Sequence, residues 1–225
     1  MKIYLLGAAN PETIRMMMAV QRTKPNVEFS GFLDNDPAKK NSDFFGYPVL
    51  GSIDLVGKLT EDTQPGEVGF VNLITGNLLA RYETSRQIVA AGGRLVNFIH
   101  PSVELTMTRW GSGNYIQEGV IVQAGVSVGD NSSIHMGALI GHESSIGNSV
   151  FIAHAVSVSG CCEIGDGTFI GTNATILPRI KIGKWASIGA GAVVNRDIPD
   201  YGVAVGNPAR VIKYNEQRHL DGRIY

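Results

Sequence analysis

The sequence predicts an α/β domain followed by a parallel β-helix of six-residue repeats, and three observations carry that reading. Ile or Val recurs at every sixth position from residue 116 to residue 194 without a break. Four residues after each stands a small or apolar residue, among them Val120, Ser132, Ala138, Ser144, Cys162 and Ala174. Ahead of this array, strand-like and helix-like segments alternate.

A six-residue period fits neither the 3.6 of a helix nor plain two-residue alternation. It fits short strands joined by tight corners and wound into a solenoid, with large and small residues alternating along the interior. Gly129, Gly147, Gly165 and Gly183 recur every eighteen residues, each directly after its Ile or Val, so three hexads make one coil of triangular section. Gly, Asn and Asp near the corners, as in Gly129-Asp130-Asn131 and Gly165-Asp166-Gly167, are expected to take the positive φ of sharp turns. Each inward Ile or Val contributes roughly 1.5–3 kcal/mol on burial, against an ordering cost of about 1–2 kcal/mol per residue, so stacking between coils must supply the remainder.

In the front third, residues 2–7, 27–33, 67–74 and 94–99 read as strands, with helices over 11–22 and 78–91. Such alternation argues a small parallel sheet whose ligands sit at the carboxyl ends of the strands. Gly7, Asp34, Asn35 and Gly76 are thereby placed around one crevice. Asp34 suits a ribose or a base edge, and Asp34-Asn35-Asp36-Pro37 equally suits an ordinary turn. Asn10-Pro11-Glu12 makes a good helix start with Asn as cap, but a poor phosphate cradle, since Pro lacks an N–H and Glu12 repels an anion.

The 225 residues are 44% hydrophobic, ample for a packed core. Lys and Arg number 19 against 20 Asp and Glu, a net charge of −1, so no global field draws the chain to nucleic acid or to an anionic membrane. The start of the chain lacks the pattern of a signal peptide, and no apolar run approaches the roughly eighteen residues of a membrane span, so a cytoplasmic protein is expected. Cys161 and Cys162 are adjacent, frame neither a disulfide scaffold nor a zinc motif, and read as packing residues.

Together these residues resemble the sialic-acid O-acetyltransferase and UDP-amino-sugar N-acetyltransferase family of hexapeptide-repeat acyltransferases. The resemblance runs nearly end to end, through Phe32-Leu33-Asp34-Asn35-Asp36, Gly46-Tyr47-Pro48-Val49-Leu50-Gly51, Gly76-Asn77 with Arg81, Phe98-Ile99-His100-Pro101-Ser102, the hexads, and the closing Val205-Gly206-Asn207-Pro208-Ala209-Arg210. It implies a Rossmann-like, nucleotide-sugar-binding domain over residues 1–97, a left-handed β-helix acyltransferase domain over 98–212, and a C-terminal tail over 213–225 that holds His219. It also implies a homotrimer with acetyl-CoA lying between neighbouring solenoids, no resident metal, and a UDP-linked amino sugar as acceptor in bacterial surface-glycan biosynthesis. One departure is that Gly7-Ala8-Ala9-Asn10-Pro11 stands where relatives carry a Gly-x-Gly-His-Gly type of loop.

Transfer from a thioester needs a base for the acceptor proton and donors for the oxyanion that forms. Histidine titrates near neutrality, and a carboxylate on its other ring nitrogen fixes the tautomer and stabilises the imidazolium. The resemblance assigns the base to His142 and its orientation to Glu143. Gly160 follows His142 by one coil, and its missing side chain is expected to leave room beside the imidazole for the thioester, its amide serving as oxyanion donor. Where relatives have a second His near the acyl group, this chain has Phe151. For coenzyme A the resemblance points to Thr172 and Ala190, eighteen residues apart, and to Gly206 and Arg210 in the closing motif, with Arg210 or Lys213 pairing with a phosphate.

Rival readings follow from the same residues. Acetylation of a sugar hydroxyl is the near one. A zinc hydratase of the γ-type carbonic anhydrase kind would draw on His135, His142 and His154, whose spacing is no recognised zinc signature. A non-catalytic sugar-binding module would leave His142 without a task.

Overall fold

The computed structural model describes residues 1–61, 63–64 and 66–215, so His219 and most of the expected tail lie outside the described residues. Two compact units divide between Pro101 and Ser102, inside the Phe98–Ser102 motif rather than ahead of it. Lys213, assigned to the tail from the sequence, belongs to the strand Arg210–Tyr214, which pairs antiparallel with Gly202–Val205.

The first unit runs β1 (Lys2–Leu6), α1 (Glu12–Thr23), β2 (Glu28–Leu33), β3 (Asp43–Phe44), β4 (Tyr47–Gly51), α2 (Val56–Thr60), β5 (Val68–Asn72) and α3 (Leu78–Ala90). Its sheet has the order β3-β4-β2-β1-β5, with β4, β2, β1 and β5 parallel and β3 antiparallel to β4. Leu5, Phe32, Leu33, Phe70, Met17 and Ile88 fill the space between sheet and helices and are almost wholly buried. The expected strand over 94–99 is corrected. Only Leu95 bridges to Phe70, through Phe70 N–H to Arg94 O at 2.8 Å and Val96 N–H to Phe70 O at 3.0 Å, and Phe98–Ile99 is a separate short strand. The outer parallel place is taken by β4, on the other edge. At the head of α1, Asn10 Oδ1 accepts the Glu12 N–H at 3.0 Å, and Pro11 stands one place before the first helical residue rather than in it.

The second unit is a solenoid of two-residue strands on three faces. One face stacks Arg109–Trp110, Ser127–Val128, Ser145–Ile146, Glu163–Ile164 and Lys181–Ile182. The next stacks Tyr115–Ile116, Ser133–Ile134, Phe151–Ile152, Phe169–Ile170 and Ser187–Ile188, and the third Ile121–Val122, Leu139–Ile140, Ser157–Val158, Thr175–Ile176 and Val193–Val194. Every register step is eighteen residues. The six-step Ile and Val side chains point inward, and Ile116, Ile134, Ile140, Ile152, Val158, Ile170 and Ile188 are fully buried.

The corners turn at the Asn or Gly that closes each expected triplet. Asn131 and Gly167 take positive φ, as do Ser149 and Trp185 at the equivalent places and Glu143, Ala155 and Cys161 among others at the other corners, whereas Gly129, Gly147, Gly165 and Gly183 do not. The glycines are required by close approach instead. A Cβ on Gly147 would lie 2.4 Å from Asp166 Oδ1 and 2.8 Å from Asp166 N, and one on Gly129 2.5 Å from Asn148 Oδ1. Those side-chain oxygens form a ladder between coils: Asp130 N–H donates to Asn148 Oδ1 at 2.8 Å, and Asn148 N–H to Asp166 Oδ1 at 2.8 Å. The eighteen-residue Gly-Asx pattern is thus the signature of one coil resting directly on the next.

Candidate active site

The corner that follows the third face carries the catalytic candidates. Ile140 ends its strand pointing inward, the chain turns through Gly141 and His142, and Glu143, at φ 57°, swings the backbone into the next strand. Three bonds fix this turn. His142 N–H donates to Gln123 Oε1 at 2.9 Å, Glu143 N–H to Ala124 O at 3.0 Å, and Cys161 N–H to His142 O at 2.8 Å. With the backbone held, His142 Nδ1 lies 3.1 Å from Glu143 Oε2. Both side chains stay open to water, with 57% and 71% of their surface exposed, so a substrate can reach them.

Gly160 lies one coil further on, and here the expectation is corrected. A Cβ on Gly160 would fall 2.5 Å from His142 Nε2 and 2.8 Å from Cε1. The space released by the missing side chain is filled by the imidazole itself, which lies against the Gly160 backbone and leaves no room there for the expected thioester. The Gly160 N–H makes no hydrogen bond within the described residues, so it remains a donor. Two neighbours escaped the sequence reading. Gln123 buttresses the His142 backbone, and Cys161 Sγ lies 4.0 Å from Glu143 Oε2. Cys161 is therefore no packing residue, whereas Cys162, one place on, is fully buried. Stacking at eighteen residues would have found Cys161 above Glu143.

Thr172 and Ala190 are stacked and exposed as expected, but on the corner between the second and third faces, together with His154. A single solenoid does not bring them to His142. His135 shares that corner: its ring lies 4.9 Å from that of His154 and 4.6 Å from that of Phe151, and its Nε2 3.0 Å from Ser133 Oγ. Three histidines are thus split between two corners of the chain. Gly206, at φ 97°, and Arg210 are exposed, and Arg210 Nη1 donates to Ala209 O at 2.7 Å.

In the first unit, Gly7, Asp34 and Asn35 do line one crevice, with Leu6, Leu33, Ile53, Ile74 and Thr84, of about 130 Å³. Gly76 does not line it; it is exposed in the turn before α3. Asp34 is already engaged, since Oδ2 accepts from Ala8 N–H at 3.0 Å and Lys39 Nζ at 2.7 Å, and Oδ1 from Asp36 N–H at 3.0 Å. Burial alone would raise its pKa, but the Lys39 ammonium and the two N–H donors outweigh that and hold the carboxyl below its ordinary value. Arg81, from the Gly76-Asn77 motif, is buried and bonds the carbonyls of Asn72 and Ile74, so it shapes the loop rather than reaching a ligand.

Among the described residues, no helix is long and apolar enough to cross a membrane.

The family model "Bacterial transferase hexapeptide (six repeats)" matches residues 143–177 and 162–196, and that for the "Hexapeptide repeat of succinyl-transferase" matches 118–142. A curated dTDP-3-amino-3,6-dideoxy-alpha-D-galactopyranose 3-N-acetyltransferase from Aneurinibacillus thermoaerophilus is 54% identical over 48 residues, 21% of this chain and 25% of that protein. The first curated relatives, from Staphylococcus aureus, are 44% identical over 55 residues, so the chain spans only 28% of their length. Solved structures match far more of it. A histidine-to-asparagine variant of perosamine N-acetyltransferase from Caulobacter crescentus, in complex with CoA and GDP-perosamine, superposes with a TM-score of 0.82 at 27% identity, covering 95% of this chain and 97% of that one. The acetyltransferase domain of PglB from Neisseria gonorrhoeae, in complex with acetyl coenzyme A, gives a TM-score of 0.80 at 25% identity over 94% and 98%. The second unit is accordingly a left-handed β-helix, behind an N-terminal α/β domain.

Proposed function

We propose that this chain, whose residues 118–196 match hexapeptide-repeat transferase models and whose fold superposes on sugar N-acetyltransferases, moves an acetyl group from acetyl-CoA to the amino group of a nucleotide-linked sugar. The observation that carries this reading is the His142–Glu143 pair, an exposed imidazole whose Nδ1 is held at 3.1 Å by a carboxylate. Glu143 keeps the proton on Nδ1, which leaves the Nε2 lone pair to take a proton from the acceptor amine. The amine nitrogen bonds to the thioester carbonyl carbon, and the oxyanion is stabilised by N–H donors, for which Gly160 is the candidate. Collapse breaks the carbon–sulfur bond, and the imidazolium returns its proton to the departing CoA thiolate.

Thr172, Ala190, Gly206 and Arg210 are the proposed coenzyme contacts. Since the Thr172–Ala190 corner is not the His142 corner, a coenzyme touching both lies between two copies, in keeping with the homotrimer that the resemblance implies. Gly7, Asp34 and Asn35 hold part of the nucleotide; their crevice is smaller than the roughly 300–1,000 Å³ of a complete small-molecule site, so it takes a base or ribose and leaves the sugar outside. The carrier expected from the sequence is UDP, whereas the similar proteins act on or bind dTDP- and GDP-linked sugars. The reaction is placed in the cytoplasm, in surface-glycan biosynthesis.

The test is thiol release from acetyl-CoA against UDP-, dTDP- and GDP-linked amino sugars and free nonulosonic acids. Turnover with a nucleotide-linked amine is expected. In the same assay His142→Ala should lower kcat by about 10²–10⁴-fold and leave acetyl-CoA affinity near that of the unmodified chain. Turnover confined to a sugar hydroxyl would replace N- by O-acetylation, and an undiminished His142→Ala would overturn the mechanism.

A further inference from the structure

His142, Glu143 and Cys161 bring an imidazole nitrogen, a carboxylate oxygen and a thiol sulfur within 4.8 Å of one another. Nδ1 and Oε2 are 3.1 Å apart, and Sγ and Oε2 4.0 Å. In a tetrahedral zinc site, with Zn–S of about 2.3 Å and Zn–N and Zn–O of about 2.0–2.2 Å, neighbouring ligand atoms stand about 3.3–3.6 Å apart. Small side-chain rotations convert the observed spacing to that one. The backbone beneath is fixed, since Cys161 N–H donates to His142 O at 2.8 Å across the coil step. Nitrogen and thiolate donors favour zinc over magnesium or calcium, and the exposed side leaves the fourth position to water.

We propose that this corner is an inhibitory zinc site, in which a Zn²⁺ ion bound by His142 Nδ1, Glu143 and the Cys161 thiolate switches the enzyme off. Binding releases the thiol proton to solvent, and the single proton of the neutral imidazole moves from Nδ1 to Nε2. With Nε2 protonated, the lone pair needed for the acceptor amine is gone. The ion also draws Glu143 away from its orienting task. This inference rests on the functional reading above for its inhibitory consequence, though not for the metal binding itself.

The experiment titrates ZnCl₂ into the metal-free full-length protein by calorimetry, with Cd²⁺ as a second probe whose thiolate charge-transfer absorption reports sulfur coordination. One ion per chain is expected, bound at least about ten-fold more weakly by Cys161→Ser. Serine is tolerated there because Ser149 already adopts the same positive φ at the equivalent place of another hexad. Zinc should inhibit acetyl transfer reversibly, with recovery on chelation, and Cys161→Ser should keep its basal rate and resist inhibition. Equal zinc binding by Cys161→Ser, or absence of the cadmium–thiolate band, would overturn the site. Stoichiometric binding that is lost in Cys161→Ser, in a protein inactive toward every acceptor, would uphold the site and defeat the functional reading instead.

Discussion

At the scale of single residues, the chemistry is set by which atoms occupy the space over a missing side chain. Gly160 has no Cβ, and the His142 ring lies where that atom would be. Gly160→Ala is therefore predicted to displace the imidazole. Steady-state kinetics should show kcat falling by about 10²-fold or more, as in loss of a general base, with thermal stability changed by only a small amount because the ring is exposed and free to move outward. An unchanged kcat would mean that the ring works from another rotamer. The His142–Glu143 pair was legible from adjacency alone, since neighbours at a turn point to the same side. Cys161 was not, because its proximity arises from coil stacking, and adjacency to Cys162 suggested a shared role that the fourth and fifth places of a hexad do not share.

At the scale of elements, the solenoid is held as much by its side-chain ladder as by its core. Asn148 Oδ1 accepts the Asp130 N–H, and its own N–H donates to Asp166. Asn148→Ala leaves the half-buried Asp130 amide without that acceptor and should cost about 1–3 kcal/mol, read as a lower midpoint in thermal or denaturant unfolding. In the first unit the turn after β2 depends on Asp34, whose folded carboxyl lies below its ordinary value. The sign follows directly. Its contacts with Lys39 and the Ala8 and Asp36 amides contribute fully above the unfolded value of about 3.9, and the contribution is lost as pH falls through the folded value. The gap in unfolding midpoint between the unmodified chain and Asp34→Asn is thus expected to be largest near neutrality and to shrink in melts below about pH 4. A gap independent of pH would show that ionisation of Asp34 adds nothing. Element types were readable wherever a period was long enough to repeat. The strand over 94–99 failed that standard, since its composition suits a strand but only Leu95 finds a partner.

At the scale of the whole molecule, the separation of His142 from Thr172 and Ala190 by one solenoid face predicts that active sites are shared between copies. Coexpressed His142→Ala and Thr172→Trp chains, each inactive alone, should regain about a quarter of normal activity in randomly mixed oligomers, because some interfaces then pair an intact histidine with an intact coenzyme corner. No recovery in verified mixed oligomers would place the complete site within one chain. The six-residue period by itself determined the solenoid, its three faces and the hexad places of His142, Gly160, Thr172 and Ala190, since a repeat propagates one local geometry along the chain and each residue's position follows by counting. Counting does not reveal what fills a gap or which atoms meet between coils. That the imidazole takes the space at Gly160, that Asp34 is tied to the Ala8 amide, and that a thiol stands beside the His142–Glu143 pair were decided by tertiary packing, where groups far apart in sequence compete for the same volume.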